Sequence, residues 1–171
     1  VDAFAATLVD TGERWLQREQ AAQVVDALLP NRDFERSLFR GLLVEGVLAE
    51  DSLLRVGTTR HEIVYVAYER LADHIIAEAL LDKVPAPQDW ATAFSTDGIL
   101  AAVIADEHIP SGLLEALFIQ VAERTGTELL TFAPQLVDRR GIGHAFRQSL
   151  IWRNNATFSA ATRTVLNDLC R

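Results

Sequence analysis

RHEIVYVAYERLADHIIAEALLDK, residues 60–83, decides the fold of the first half of this chain. Its first part crowds β-branched and aromatic side chains between Ile63 and Tyr68, which is typical of a strand. From Tyr68 onward the hydrophobic period changes from 2 to 3.6. The residues that then share one apolar stripe are Tyr68, Leu71, Ala72, Ile75, Ile76 and Ala79. The pattern predicts a strand that runs almost directly into a long helix, and a second, partly apolar side at Ala77 and Leu81 indicates that this helix is covered on both sides.

Upstream of this stretch the sequence predicts three helices and one more strand. The first helix covers residues 2–9, the second covers 18–29 before Pro30, and the third covers 31–51. Asn31 or Asp33 is the expected N-cap of the third helix, and Gly46 is its expected weak point. The sequence LLRV at 53–56 then predicts a short strand before a turn that contains Gly57. Three helices followed by a two-stranded hairpin form the winged-helix arrangement.

The second half of the chain is predicted to be helical throughout. Pro85 and Pro87 interrupt the long helix, so we predict a winged-helix domain at 1–85, including its exit helix, and an all-helical domain at 86–171. Short helices follow, with Ser111 and Ser159 as expected N-caps and Gly126 as an expected stop. No repeat period is evident, so this domain is predicted to be either an irregular helical bundle or a solenoid-like arm.

The composition indicates a globular protein of the cytoplasm. The chain has 171 residues, of which 49% are hydrophobic, and no run of 18 apolar residues. The first residues carry acids where a signal peptide carries basic residues, and the single cysteine excludes an intramolecular disulfide framework. Because the sequence begins with Val1 and contains no methionine, we expect it to be a piece of a longer protein.

Motifs for catalysis and metal binding are missing from the sequence. The one lysine, Lys83, follows Asp82 rather than a glycine, so the chain has no phosphate-binding loop. The sequence HEIVY at His61 lacks the second histidine that a zinc-protease helix needs. We therefore expect no enzymatic activity and no metal in this chain.

The charge distribution bears on a possible DNA-binding role. The formal net charge is −8, and residues 1–85 hold 15 Asp and Glu against 9 Arg and Lys. Nonspecific affinity for nucleic acid comes from clustered Lys and Arg, and the window 32–51 around the third helix is acidic on balance. A winged-helix transcription regulator with a helical ligand or dimerisation domain is thus the alternative hypothesis, and a plain helical adaptor is a third.

Four segments together resemble a known family. In order along the chain they are LLVEGVLAED, EIVYVAYERLADHIIAEALL, LLEALFIQVAERTGTELL and FRQSLIWRN. They are similar to the region that follows the ATPase core in bacterial STAND-type NTPases, particularly the antiviral kind related to NACHT proteins. The resemblance extends from about residue 39 to 154. The narrower mark is the strand that ends in Tyr-Glu-Arg, followed by Asp-His and a helix of small residues.

The resemblance implies a regulatory role. In that family the winged-helix domain packs on an upstream core that binds ATP or ADP with Mg²⁺, helps to hold ADP at rest, and moves when a downstream sensor meets its target and the protein oligomerises. The chain would then be a noncatalytic region with no cofactor of its own, and its partners would be the core and the sensor of the same polypeptide.

Two residues are the candidates for nucleotide contact that the resemblance implies. Many NACHT proteins have a nucleotide-contacting histidine just after the final strand of the wing, and this chain has Tyr68 there. A phenol can hydrogen-bond a phosphate or stack on a base, whereas the simpler alternative is a half-buried tyrosine that closes the strand. Arg70 either reaches the nucleotide or pairs with an acid such as Glu69 or Asp73.

Overall fold

The computed structural model describes residues 2–54, 60–84 and 89–169. Over these residues the chain is mainly helical and carries a small antiparallel sheet of three strands. It divides into two compact units, Val1–Ala79 and Leu80–Arg171. The division falls within one continuous helix. The predicted domain boundary, at residues 85 and 86, lies outside the described residues.

The first unit alternates helices with strands. Its elements in chain order are α1 (Asp2–Thr11), β1 (Leu16–Gln17), α2 (Arg18–Asp26), a 3-10 turn (Phe34–Arg36), α3 (Leu38–Val44), β2 (Leu48–Leu54), β3 (Arg60–Val66) and α4 (Glu69–Leu81). Strand β3 lies in the centre of the sheet, between β1 and β2. Leu16 of β1 pairs with Val64, and Leu48 of β2 pairs with Val66. The predicted turn at Gly57 lies outside the described residues.

The core of the first unit combines the sheet with helices α1, α2 and α3. Its buried side chains come from α1, α2, α3 and from the strands, and they include Phe4, Leu8, Leu16, Val25, Phe39 and Val64. The N-terminus of α3 is fixed by a hydrogen bond from the backbone N–H of Phe39 to the carboxylate of Asp26, at 2.8 Å. This bond joins α2 to α3.

The prediction of one continuous third helix over 31–51 is wrong. Ser37 has an extended backbone, with φ of −70° and ψ of 153°, and separates the 3-10 turn from α3. The side chains of Asp33 and Ser37 each accept a hydrogen bond from the backbone N–H three residues later, so each begins a new helical segment. At the other end, Gly46 takes a left-handed φ of 67° just after the helix, and residues 48–51 belong to β2.

The joint between strand and helix was predicted closely. Strand β3 ends at Val66 and α4 begins at Glu69, so two residues connect them. Tyr68 precedes the helix, and its carbonyl accepts the N–H of Ala72 at 2.9 Å. Of the predicted stripe, Ala72, Ile75 and Ile76 are buried, whereas Tyr68 and Leu71 are exposed. Ala77 and Leu81 on the second side of the helix are also buried.

The second unit consists of short helices around one long helix. After the end of α4, its elements are α5 (Trp90–Ala93), α6 (Ala101–Ala105), α7 (Ser111–Thr125), α8 (Leu129–Phe132), a 3-10 turn (Pro134–Leu136), α9 (Ile142–Trp152), a 3-10 turn (Asn155–Thr157) and α10 (Ala160–Leu169). Gly126 ends α7 with a left-handed φ of 69°, as predicted. Ser111 is not the N-cap of α7: it is the first residue of the helix, and Pro110 precedes it.

Aromatic contacts hold the second unit together. Helix α7 buries eight of its residues. Its Phe118 meets Phe146 of α9 edge to face, with ring centroids 5.3 Å apart. Trp90, Phe94 and Phe132 form a second cluster that ties α5 to α8. No helix in the described ranges is long and apolar enough to cross a bilayer.

Candidate functional site

The joint between β3 and α4 presents the two residues that the sequence analysis singled out. Tyr68 lies between the two elements and is 62% exposed. The alternative of a half-buried tyrosine is therefore wrong. Arg70 lies in the first turn of α4 and is also exposed. The structure thus brings both polar side chains to the surface at the start of one helix, where backbone N–H groups and the helix dipole favour a negative ligand.

An ion pair with a buried carboxylate lies one turn further into α4. The Asp73 side chain is 4% exposed, and its Oδ1 accepts a hydrogen bond from Nη2 of Arg14 at 2.5 Å. Asp73, one of the acids that were predicted to pair with Arg70, is thus bonded to Arg14. Arg14 follows α1 and precedes β1, and its side chain is 37% exposed. The pair joins the α1–β1 connection to the first turns of α4.

The surroundings of Asp73 act on its charge in opposite directions. Burial disfavours the carboxylate and raises the pKa of Asp73 above its ordinary value, while the hydrogen bond and the positive charge of Arg14 oppose that rise. Nearby Glu69 adds to the rise, and His74 opposes it. Arg14 therefore favours the ionised form of Asp73 against the effect of burial.

An open groove of about 310 Å³ runs beside this ion pair. Its walls come from the α1–β1 connection, from β3 and from the start of α4. The lining residues are Arg14, Trp15, Ile63, Tyr65, Val66, Ala67, Glu69 and Ala72. The groove is mostly apolar, with Arg14 and Glu69 as its charged residues. Arg14 therefore contacts Asp73 and also lines the groove.

A separate group of ion pairs on the sheet involves Arg18. Arg18 of α2 reaches across to β2 and β3, where its Nε is 2.7 Å from Glu50 and 3.6 Å from Glu62. Its guanidinium also lies over the rings of Phe34 and Phe39, at 5.7 and 5.6 Å from their centroids. Arg18 is therefore paired with acidic side chains of its own unit.

Helix α3 has little charge for binding DNA. Its surface carries Val44, which is 70% exposed, and the exposed Gly41. Arg40, the only charged residue of α3, is 3.0 Å from Glu35. A recognition helix needs cations that are directed at phosphates and bases. The short apolar α3 does not supply them.

The structure assembles no metal site in the described parts of the chain. No group of three or more His, Cys, Asp or Glu side chains there has the geometry to hold an ion. His61, which begins the sequence HEIVY, lies in β3, so the spacing of a helical zinc motif does not apply to it.

Sequence reasoning missed Arg14 and the groove. Arg14 and Asp73 are 59 residues apart, so no local spacing connects them. The one usable signal was Asp73 itself, a charged residue one position from the apolar stripe of α4. No family model, curated protein or solved structure matches this chain.

Proposed function

We propose that this chain is a noncatalytic regulatory region of a STAND-type signalling ATPase. In this proposal the first unit is a winged helix that packs on an upstream ATPase core, and the second unit begins the helical arm that leads to a downstream sensor. The core binds ATP or ADP with Mg²⁺, and the protein forms ATP-dependent homo-oligomers in the bacterial cytoplasm as part of anti-phage defence.

The observation that carries the proposal is the order of elements in the first unit. A helix, a short strand, two helices and an antiparallel strand pair follow one another, and the short β1 joins the same sheet beside β3. This order and the sheet order β1-β3-β2 support a winged helix with β2 and β3 as its wing. Strand β3 is followed by α4 after two residues. This short connection is a more specific point of support, because the family that the sequence resembles also has a helix directly after this strand.

The exposed position of Tyr68 and Arg70 supports a role for this joint in contact with another domain. Both side chains lie at the N-terminus of α4, which carries a partial positive charge. A nucleotide phosphate held on an upstream core is the kind of anion that such an arrangement stabilises. In the proposal Tyr68 and Arg70 help to retain ADP in the resting state.

The rival hypothesis, a winged-helix transcription regulator, is less well supported. The apolar surface of α3 and the pairing of Arg40 with Glu35 leave few cations for phosphates. A gel shift at low salt separates the two hypotheses. Weak binding without sequence preference fits the regulatory region, and a sharp complex with one promoter fragment near physiological salt supports the regulator.

The direct test uses the full-length protein and measures release of bound ADP. We expect Tyr68→Phe and Arg70→Ala to speed ADP release or raise basal activity, because each variant removes a polar contact to the nucleotide. Tyr65→Phe is the matched control, since Tyr65 lies on β3 and lines the groove instead of the joint. Wild-type release rates in both joint variants would refute nucleotide contact.

The isolated chain gives a second, independent test. Without a lysine in a glycine-rich loop, residues 1–171 should neither hydrolyse ATP nor bind it measurably in isothermal titration. Tight binding of ATP or ADP to this chain alone would overturn its assignment as an accessory region.

A further inference from the structure

Helix α10 is held to the second unit by few buried groups. Of its residues, Ala160–Leu169, Thr162 is the buried one, whereas α7 buries eight residues. Val165 and Leu169 of α10 are only partly covered. Elements with few buried apolar contacts open at a lower free energy than the core of their domain. The docking of α10 therefore depends on Thr162 to an unusual degree.

The hydroxyl of Thr162 connects α10 to a buried ion pair. It donates a hydrogen bond to Oε1 of Glu128 at 2.5 Å and accepts one from the backbone N–H of Ser159 at 3.1 Å. The Ser159 hydroxyl in turn accepts the N–H of Thr162 at 3.3 Å, which caps the helix reciprocally. Arg153 donates from Nη1 to the same Oε1 of Glu128 at 2.8 Å. One carboxylate oxygen thus joins the segment before α8, the segment after α9 and the first turn of α10.

Both members of this ion pair are buried while α10 is docked. The side chains of Arg153 and Glu128 are 0% and 2% exposed. Oε2 of Glu128 and Nε and Nη2 of Arg153 have no hydrogen-bond partner among the described residues. The guanidinium lies over the ring of Phe146, 5.4 Å from its centroid, which compensates part of its charge. Among the described residues, the hydrogen bonds to the side chain of Glu128 come from Arg153 and Thr162.

Besides Thr162, α10 contacts α9, where Leu169 lies close to Gly143, and the segment around α8. The contact with the segment around α8 is loose. A groove of about 250 Å³ lies between α10 and the segment that contains α8 and the following 3-10 turn. On the α10 side it is lined by Val165, Asp168 and Leu169, and on the other side by Leu130, Thr131, Pro134 and Val137. Close-packed interfaces leave few voids larger than a water molecule, so this contact adds little dispersion energy.

We propose that α10 is a releasable latch, which undocks as a body when the bond between Thr162 and Glu128 breaks. Helices α7 and α9 stay folded in the undocked state, because their contact through Phe118 and Phe146 does not involve α10. Undocking uncovers the carboxylate of Glu128 and the half-buried side chain of Leu130. The proposal concerns α10 alone and does not depend on the proposed function.

Hydrogen exchange of backbone amides in the whole chain tests the latch. In the wild-type protein we expect α10 to exchange through a separate opening that leaves α7 and α9 protected. Thr162→Val keeps the shape of the side chain and removes the hydroxyl. It should speed exchange in α10 by about one to two orders of magnitude, the effect of losing a hydrogen bond to a charged acceptor. Exchange in α7 and α9 should stay within about twofold of wild type, because the hydrogen bonds of the Thr162 hydroxyl go to Glu128 and Ser159, which lie outside both helices.

Two variants on the same helix serve as controls. Thr164→Val removes a hydroxyl that bonds only the carbonyl of Ala160 in the same helix, so it should leave α10 protection unchanged. Thr162→Ser keeps the donor and should restore most of the protection. Exchange of α10 together with α7 and α9 in one cooperative step would overturn the proposal even if Thr162→Val did not fold. Equal exchange of α10 in Thr162→Val and wild type would also overturn it.

Discussion

The ion pair of Arg14 and Asp73 leads to an asymmetric prediction. Arg14→Met keeps the apolar stem and removes the charge, which leaves the buried carboxylate of Asp73 without its cation. Asp73→Asn removes the charge on the buried side, and Arg14, with its side chain 37% exposed, can turn to water. Although the two changes break the same bond, we expect Arg14→Met to be the more damaging.

The magnitude follows from the burial of each partner. Removing one member of a fully buried pair costs about 3–5 kcal/mol, because the remaining charge is left without compensation. Since Arg14 is more than a third exposed, solvent screens the pair and the cost of Arg14→Met falls to about 2 kcal/mol. Asp73→Asn keeps a side-chain oxygen that can accept from Arg14, so we expect a loss below about 1 kcal/mol.

The pH dependence has a defined sign. Burial raises the pKa of Asp73 in the folded state above its unfolded value, so the protonated form is favoured by folding. This contribution to stability is present below the unfolded pKa of about 3.9 and is lost as the pH rises through the folded pKa. Arg14→Met removes the charge that opposes the rise in pKa. Its destabilisation should therefore be largest near pH 7 and shrink toward pH 4.

Urea unfolding of the first unit measures these differences. The indole N–H signal of Trp15, which lies next to Arg14 in the sequence and lines the same groove, reports on this unit in NMR spectra. Arg40→Met is the control, because its partner Glu35 is 73% exposed and such pairs contribute about 0–1 kcal/mol. The reasoning is refuted if Asp73→Asn destabilises as much as Arg14→Met, or if the cost of Arg14→Met does not change with pH.

Two further predictions concern packing. Ile75→Ala should lower the free energy of unfolding by about 2–5 kcal/mol, because Ile75 is buried at 8% exposure. Tyr68→Phe should leave the melting temperature nearly unchanged. Equal melting temperatures of the two variants in thermal scans would contradict this contrast. Gly98→Ala should destabilise the second unit, because an added Cβ would lie 2.2 Å from the carbonyl oxygens of Ala93 and Thr92. Gly41→Ala in the open surface of α3 should instead stabilise by about 0.5–1 kcal/mol, and both are checked by urea unfolding.

The sequence predicted the features that depend on local pattern. The change of period at Tyr68 located the joint to within a residue, and the stripe that follows identified the buried Ala72, Ile75 and Ile76. These predictions succeeded because an apolar period lasting three turns identifies one side of a helix that must be covered.

Two local features of the first unit were not predictable from hydrophobic pattern. Ser37 interrupts an apolar period that continues across it, because its hydroxyl competes for a backbone N–H and starts a new helix. Strand β1 consists of Leu16 and Gln17 alone, and two residues carry no period. Its existence depends on the neighbouring edge of β3, a tertiary partner that no window around Leu16 contains.

Polar contacts over long sequence distances were also out of reach. Glu128 meets Arg153 and Thr162 across 25 and 34 residues. Each of these side chains has an ordinary surface interpretation in its own helix or loop. Only the three-dimensional arrangement places them together, because buried polar groups gather where their partners are.

Residues 14–16 contact both of the elements that flank Tyr68, β3 and α4. Before the joint, Leu16 pairs with Val64 of β3, and after the joint, Arg14 binds Asp73 of α4. The direction in which Tyr68 projects is set by the relative position of these two elements, because its carbonyl already belongs to the first turn of α4. Arg14→Met removes the contact with Asp73 of α4 and leaves the pairing of Leu16 with Val64 of β3 intact. In the proposed ATPase, Arg14→Met should therefore alter ADP retention through the position of Tyr68. Tyr68→Phe should abolish that added effect, since the two changes act on one contact.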